Sequence, residues 1–185
     1  MDRFVGDRVP FRVSKNGKEE ERKDRAGCRV EDRGRGMSTV SLGSDHRGFF
    51  LKESLESFLR DKGWEPVDRG CDLASPKVDY PDFAEKVCND VASGKADMGV
   101  LICGSGIGMS IAANKIRGIR AALCRDVFSA TMARQHNNAN VLVLAGDWTD
   151  EALARQIMNA WLGGEFQGGR HQTRLDKVTQ LEGGR

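Results

Sequence analysis

From Met37 onward, short apolar runs alternate with segments in which apolar residues recur at a helical period. This alternation is typical of βαβ units, in which a helix connects each strand to the next parallel strand. It predicts a three-layer α/β/α sandwich around a five-stranded parallel sheet. The predicted strands are 40–43, 65–69, 98–103, 119–123 and 141–145. The predicted helices are 81–93, 107–116, 126–136 and 149–161, with one more between the first two strands and a helical tail at the C-terminus.

Pro66 lies inside the second predicted strand. Because proline cannot donate a ladder hydrogen bond, this strand belongs at a sheet edge, and the strand order 2-1-3-4-5 of a doubly wound sheet follows. In such a sheet the binding crevice lies outside the carboxyl ends of strands 1 and 3. Polar residues follow both strands: Ser44-Asp45-His46 after the first and residues 103–108 after the third.

The segment before Met37 has a different composition. Residues 1–36 contain 11 Lys/Arg against 8 Asp/Glu, a net charge of +3, and no apolar periodicity, which predicts a disordered charged extension. Residues 37–185 contain 18 against 19, a net of −1, and form the predicted domain. A nearly neutral domain offers no electrostatic surface for nucleic acid. Without an apolar run of membrane-spanning length or a signal-peptide core, we expect a cytoplasmic protein that binds no membrane.

Residues 103–108 place a thiol at the start of a glycine-rich loop, Cys103-Gly104-Ser105-Gly106-Ile107-Gly108. Glycines let several backbone N–H groups point into one space before a helix, where negative charge is favoured. Met109 stands where the dinucleotide fingerprint needs glycine, and the lysine of a P-loop is missing, so an oxyanion or enediolate is a better ligand than a nucleotide. The same dipoles favour the thiolate of Cys103, which could act as a base or a nucleophile.

Two histidines are further candidates. His46 and Asp45 lie at the other side of the predicted crevice, where a histidine could bind phosphate and a carboxylate could accept sugar hydroxyls. His136 ends the helix after strand 4, which runs back from the carboxyl end of the sheet, so we expect it at the opposite end from Cys103. Its alternative role is structural, near a helix end that Asn137 or Asn138 closes in the left-handed conformation.

Arg170 and Arg174 are four residues apart, so on a helix they share one face and could bind a phosphate together. The alternative is that they are solvated surface arginines.

We expect no metal, because no histidines and carboxylates have metal-ligand spacing. The cysteines are odd in number and form no C-x-x-C pair, which indicates reduced thiols: Cys28, Cys71, Cys88, Cys103 and Cys124.

Six motifs in order, spread over residues 37–182, resemble the family of ribose-5-phosphate isomerase B and the galactose-6-phosphate isomerase subunits. They are Gly43-Ser44-Asp45-His46-Arg47-Gly48, Asp79-Tyr80-Pro81, residues 101–108, Ala112-Ala113-Asn114-Lys115, Arg134-Gln135-His136-Asn137, and Ala160-Trp161-Leu162-Gly163 with residues 168–174. The resemblance implies a flavodoxin-like sandwich, no cofactor, and a homodimer with shared active sites that could pair into a tetramer. It also implies an aldose–ketose isomerase of the pentose phosphate pathway.

The resemblance also implies roles for individual residues. Cys103 matches the base that moves a proton between C1 and C2, and His136, assisted by Asp45, matches the acid that opens the sugar ring. Ser105 matches a catalytic residue of the loop that holds the enediolate. The residues implied to bind substrate lie in the loop and around the crevice: Asp45, His46, Tyr80, Gly104, Ser105, Gly106, Ile107, Gly108, Asn137, Arg170 and Arg174.

Two positions test this assignment. Family members without the cysteine are expected to use a glutamate where this chain has Met109, so Cys103 is the candidate base in the loop. Many members carry an arginine where this chain has Asp147, which would repel a phosphate. The expected substrate is ribose 5-phosphate. The alternatives are a six-carbon sugar phosphate, such as galactose 6-phosphate or allose 6-phosphate, and a flavodoxin-like module that binds an anion without catalysis.

Overall fold

The computed structural model describes residues 37–183, so the predicted extension, residues 1–36, lies outside the described residues. The described chain contains five strands and six helices. The strands are β1 (Thr39–Ser44), β2 (Glu65–Asp68), β3 (Met98–Cys103), β4 (Ala121–Leu123) and β5 (Val141–Ala145). The helices are α1 (Phe49–Asp61), α2 (Tyr80–Ala92), α3 (Ile107–Ala113), α4 (Val127–Asn137), α5 (Glu151–Leu162) and α6 (Arg170–Gly183). The predicted C-terminal helix is therefore present.

The sheet is parallel throughout and has a hydrophobic core on each face. Alternate residues of β3 and β5 point to opposite faces, as the two-residue period of a strand requires. Ile102 and Leu144 pack on one face with α1, α4 and α5, whereas Leu101 and Val143 pack on the other with α2 and α3. The predicted three-layer α/β/α sandwich is confirmed.

The predicted order of the last two strands is wrong. The sheet has the order β2-β1-β3-β5-β4, so β5 and not β4 lies beside β3, and the topology differs from the flavodoxin-like order 2-1-3-4-5. The reason is burial: all five residues of β5 are buried, whereas the three residues of β4 are only partly covered and suit an edge. The placement of β2 at the other edge, predicted from Pro66, is confirmed.

Side-chain and backbone caps fix the ends of the helices near the site. Asp126 accepts a hydrogen bond from the Ser129 N–H at 2.6 Å, which starts α4 as a capping box. Asn138 closes α4 in the left-handed conformation with a φ of 42°, one of the two positions predicted for this cap. Helix α3 ends at Ala113, earlier than predicted, because the Asn114 side chain bonds back to Ser110 and across to Ala121. None of the described helices is long and apolar enough to cross a bilayer.

Candidate active site

The carboxyl ends of β1 and β3 bring the two predicted polar segments together. The Asp45 N–H donates to the Ile102 carbonyl at 3.2 Å, so the residue after β1 lies beside the last residues of β3. The Gly146 N–H donates to the Cys103 carbonyl at 2.8 Å, so the chain after β5 also reaches this point. Cys103 is 4% exposed. A nearly buried thiol is therefore enclosed by the ends of three neighbouring strands.

The glycine loop turns sharply between Cys103 and α3. Gly106 has a φ of 74°, in the left-handed region, and a Cβ there would lie 2.5 Å from Leu123 Cδ1 and 3.1 Å from the Leu144 carbonyl oxygen. Only glycine fits this position without strain or displacement. Ser105 is exposed at the tip of the loop, and its Oγ accepts from the Ile107 N–H at 3.3 Å.

Asp45 has one structural oxygen and one that remains open. Its Oδ1 accepts from the backbone N–H groups of Arg47 and Gly48, at 2.9 and 3.1 Å, which turns the chain from β1 into α1. Its Oδ2 accepts no hydrogen bond from the residues that the structure describes. The carboxylate is held next to the end of β3, and its second oxygen can still accept a hydrogen bond.

The segment before α2 closes one side of the loop. The Val78 N–H donates to His46 Nδ1 at 3.3 Å, which leaves Nε2 of this imidazole to bind a ligand. The ring of Tyr80 lies directly on Gly108, where a Cβ would be 2.6 Å from the ring carbon Cζ. Residues 78–80 therefore contact both His46 and the glycine loop.

His136 and Asn137 lie at the opposite end of the sheet, where the strands begin. The Asn137 carbonyl accepts from Nε of Arg120, the residue just before β4, so α4 ends where the strands begin. A six-residue strand such as β3 spans about 17 Å. As the helix direction predicted, one chain does not bring His136 to Cys103.

His136 instead forms a cluster with α6, which packs against α4. Its ring stacks on that of His171, with centroids 4.1 Å apart and planes 9° apart. His171 is 5% exposed, and burial lowers its pKa, as do the neighbouring His136, Arg170 and Arg174. Both arginines and Asn137 are exposed. We call His136, Asn137, Arg170, His171 and Arg174 the amino-edge cluster.

One ion pair at the loop was missed by sequence reasoning. Arg47 Nε donates to Asp147 Oδ1 at 3.1 Å, and Nη2 bonds the second carboxylate oxygen. The guanidinium lies on Gly104: a Cβ there would be 2.7 Å from its Cζ. The signal in the sequence was a pair of opposite charges at two chain segments that each follow a strand, Arg47 after β1 and Asp147 after β5. The sequence also did not indicate the buried position of His171, which lies between Arg170 and Arg174 along the chain.

A group of carboxylates away from the loop could in principle hold a cation. Oxygens of Glu53, Glu56 and Asp68 lie within 4.8 Å of one another. The ammonium of Lys52, whose side chain is 1% exposed, already bonds Glu53 at 2.9 Å and also bonds Asp68. An internal lysine therefore already supplies a positive charge to this group.

The parallel sheet thus carries a thiol, a glycine loop and an imidazole at the carboxyl ends of its strands, an arrangement suited to an enzyme that binds an anionic ligand. The model of the Ribose/Galactose Isomerase family matches residues 40–178. The chain belongs to this family and is an isomerase that acts on sugar phosphates.

Individual relatives agree with this classification. Ribose-5-phosphate isomerase B of Escherichia coli is 44% identical over 79% of this chain and 97% of the relative. D-erythrulose-4-phosphate isomerase of Pectobacterium atrosepticum is 38% identical over 79% of this chain and 96% of the relative. The structure of Clostridium thermocellum ribose-5-phosphate isomerase B superimposes with a TM-score of 0.77, at 47% identity, over 78% of this chain and 97% of that one.

Proposed function

We propose that this chain interconverts ribose 5-phosphate and ribulose 5-phosphate with Cys103 as the base. The observation that carries the proposal is the placement of the nearly buried thiol at the start of the glycine loop, at the end of a strand whose last residues bond the backbone of Asp45. The E. coli relative named for this reaction is 44% identical to the chain, which supports the five-carbon substrate.

In the open-chain aldose, the Cys103 thiolate removes the proton from C2. The C–H electrons form the C1=C2 double bond, and the C1 carbonyl oxygen takes the negative charge. Backbone N–H groups of residues 104–108 stabilise this enediolate, and each such donor commonly contributes about 3 to 4 kcal/mol. The thiol then returns the proton to C1 while the O2 hydroxyl proton passes to O1, which leaves the ketose. General acid–base transfer of this kind contributes roughly 100- to 10,000-fold.

The amino-edge cluster completes the proposed site from a second copy of the chain. His136 donates the proton that opens the sugar ring, Asn137 binds a sugar hydroxyl, and Arg170 and Arg174 bind the phosphate together with His46. Because His136 and Cys103 lie at opposite edges of one sheet, the two halves meet only across a homodimer interface. A two-fold dimer forms two such sites.

Exposed apolar side chains at the carboxyl edge support this interface. These side chains lie in the first two turns of helices that start at the carboxyl ends of the strands, or in the segment that follows β5. Phe50 is 75%, Phe128 72% and Trp148 84% exposed, and Ile107 and Ile111 of α3 are 50% and 58% exposed. Apolar residues concentrated around an incomplete site mark a surface that a partner covers.

The proposal is tested with a panel of sugar phosphates. We expect the highest kcat/KM for ribose 5-phosphate, with lower values for galactose 6-phosphate, allose 6-phosphate and the four-carbon D-erythrulose 4-phosphate. A higher value for any of these would replace the proposed substrate. In D₂O, deuterium should enter the sugar at the carbon that the base protonates. A chain that binds ribose 5-phosphate without exchanging this proton would be a binding module and not an isomerase.

A further inference from the structure

Arg47 has a fixed position at the mouth of the loop. Its Nε and Nη2 engage both oxygens of Asp147, and this two-point contact fixes the plane of the guanidinium. That plane lies against Gly104, the residue directly after Cys103, where a Cβ would be 2.8 Å from Nη1. The side chain is 56% exposed, so its outer edge faces the solvent from which a substrate enters.

The remaining donors of this guanidinium are available. Nη1 makes no hydrogen bond to any residue in the described range 37–183, and it lies on the face of the loop next to the proposed base. His46, the residue before Arg47, bonds Val78 through Nδ1, and its Nε2 makes no hydrogen bond to a residue of the described range. An anion between these groups would receive a charge-assisted hydrogen bond from Arg47 in addition to one from His46.

The pair also determines the charge at the mouth of the site. Asp147 alone would place a carboxylate one residue beyond Gly146, whose N–H bonds the Cys103 carbonyl. Such a charge would repel a phosphorylated substrate over this short distance. Bound to Arg47, the carboxylate is neutralised.

We propose that Arg47 is a phosphate-binding residue, which contacts the phosphate of the sugar phosphate through Nη1 while its other donors hold Asp147. The inference rests on the proposed function in one respect: the anion is the phosphate of the isomerase substrate. It adds to the phosphate site an arginine from the same chain as Cys103, whereas Arg170 and Arg174 come from the second copy.

The test compares three variants of the full chain. Arg47→Ala should raise KM for ribose 5-phosphate at least tenfold and change kcat by less than threefold, because the lost contact binds the unreactive end of the substrate. Arg47→Ala/Asp147→Ala should recover only part of this loss, with KM still at least threefold above wild type. Arg60→Ala is the matched control, since Arg60 also lies in an ion pair, with Glu56 at 3.0 Å, and is 60% exposed, but stands in the last turn of α1. Its KM should stay within twofold of wild type.

Two results would overturn the inference. Full recovery of KM in the double variant would mean that Arg47 only neutralises Asp147 and does not contact phosphate. An unchanged KM in Arg47→Ala would remove Arg47 from the site altogether. If Arg47→Ala does not fold, as judged by circular dichroism, Arg47→Gln keeps a polar side chain of similar reach without the charge and carries the same expectations.

A second measurement separates this inference from the proposed function. Inorganic phosphate is titrated directly into wild type, Arg47→Ala and Arg60→Ala by calorimetry, which needs no turnover. A Kd that is at least fivefold weaker in Arg47→Ala alone supports the phosphate contact even if ribose 5-phosphate proves not to be the substrate. An equal Kd in all three proteins contradicts it even if the isomerase activity is found.

Discussion

At the scale of single residues, the proposed chemistry depends on the Cys103 sulfur. We expect Cys103→Ala to lower kcat for the isomerase reaction at least 1,000-fold while the Kd for sugar phosphate changes little, because the thiolate moves the proton and does not hold the phosphate. Cys88→Ala is the control. Burial raises the pKa of the Cys88 thiol to about 12, so it stays protonated at neutral pH, and we expect that variant to keep its kcat. Near-normal turnover by Cys103→Ala would remove the cysteine from the mechanism.

Gly106 is the loop position with the strictest backbone requirement. We expect Gly106→Ala to lower the free energy of unfolding by about 1 to 3 kcal/mol, because an alanine is strained at a φ of 74° and its Cβ would press on the Leu144 carbonyl. Urea denaturation measures the change. Gly118→Ala separates the two causes, since Gly118 has a φ of 79° with open space around its Cβ position. An equal loss in both variants would mean that the contacts of Gly106 add nothing to the backbone strain.

The sequence indicated most candidate residues but not their contacts. Cys103, Asp45 and the glycine loop could be found because they follow strands whose carboxyl ends share one edge. The Arg47–Asp147 pair could not, because residues 100 positions apart meet only through the placement of β5 beside β3. The stacking of His136 on His171 likewise depends on where α6 packs, which no local pattern specifies.

At the scale of elements, Asp90 connects helix α2 to the sheet. It accepts from Ser41 Oγ of β1 at 3.1 Å and from Arg69 Nε, just after β2, at 2.6 Å. Burial alone would raise the pKa of Asp90, but these hydrogen bonds and the charge of Arg69 outweigh it and hold the pKa below its usual value. A carboxyl with a lower pKa in the folded state stabilises that state above its unfolded pKa of about 3.9, and this contribution is lost as the pH falls.

We therefore expect Asp90→Asn to lower the free energy of unfolding at pH 7 by about 1.5 to 3 kcal/mol, the range for hydrogen bonds to a charged group. The difference in unfolding free energy between wild type and variant should narrow once the pH falls below about 3.9, where the unfolded carboxyl takes up a proton, and should be smallest below the lower pKa of the folded carboxyl. Urea denaturation across this pH range measures it, with the exposed Asp61→Asn as the control. A gap that does not depend on pH would show that the effect comes from shape and not charge.

Element positions were predictable where the local pattern was strong. The predicted bounds of the third and fifth strands agree with β3 and β5, which are apolar runs buried on both faces. The predicted fourth strand was two residues too long at its start, and its place in the sheet was wrong. The more deeply buried strand takes the inner place in a parallel sheet. The longer apolar run Val141–Ala145 therefore lies inside, and the shorter run Ala121–Leu123 lies at the edge.

At the scale of the whole molecule, the shared-site proposal predicts complementation between inactive variants. Cys103→Ala and His136→Ala should each be inactive alone, whereas subunit exchange between them should create hybrid dimers with one intact site. Random pairing makes half of the dimers hybrids, so the recovered activity should approach about a quarter of wild type. Mass spectrometry verifies the exchange. Verified hybrids without activity would show that His136 does not act on the Cys103 of another chain.

We also expect a chain that begins at Met37 to keep the activity and the melting temperature of the full chain. The described residues 37–183 contain all five strands of the sheet, and the family match begins at residue 40. Thermal denaturation and kcat/KM for ribose 5-phosphate are measured on both chains. A melting temperature lowered by more than a few degrees would assign residues 1–36 to the folded domain.

The position of β5 between β3 and β4 also determines the order in which the sheet can form during synthesis. Among the described strands, β4 pairs only with β5, with Ala121 opposite Val141, so β4 has no neighbour until a strand made 20 residues later is in place. A nascent chain that stops before residue 141 can pair only β2, β1 and β3. On this side of the sheet, β4 therefore cannot pair before β5 has been synthesised.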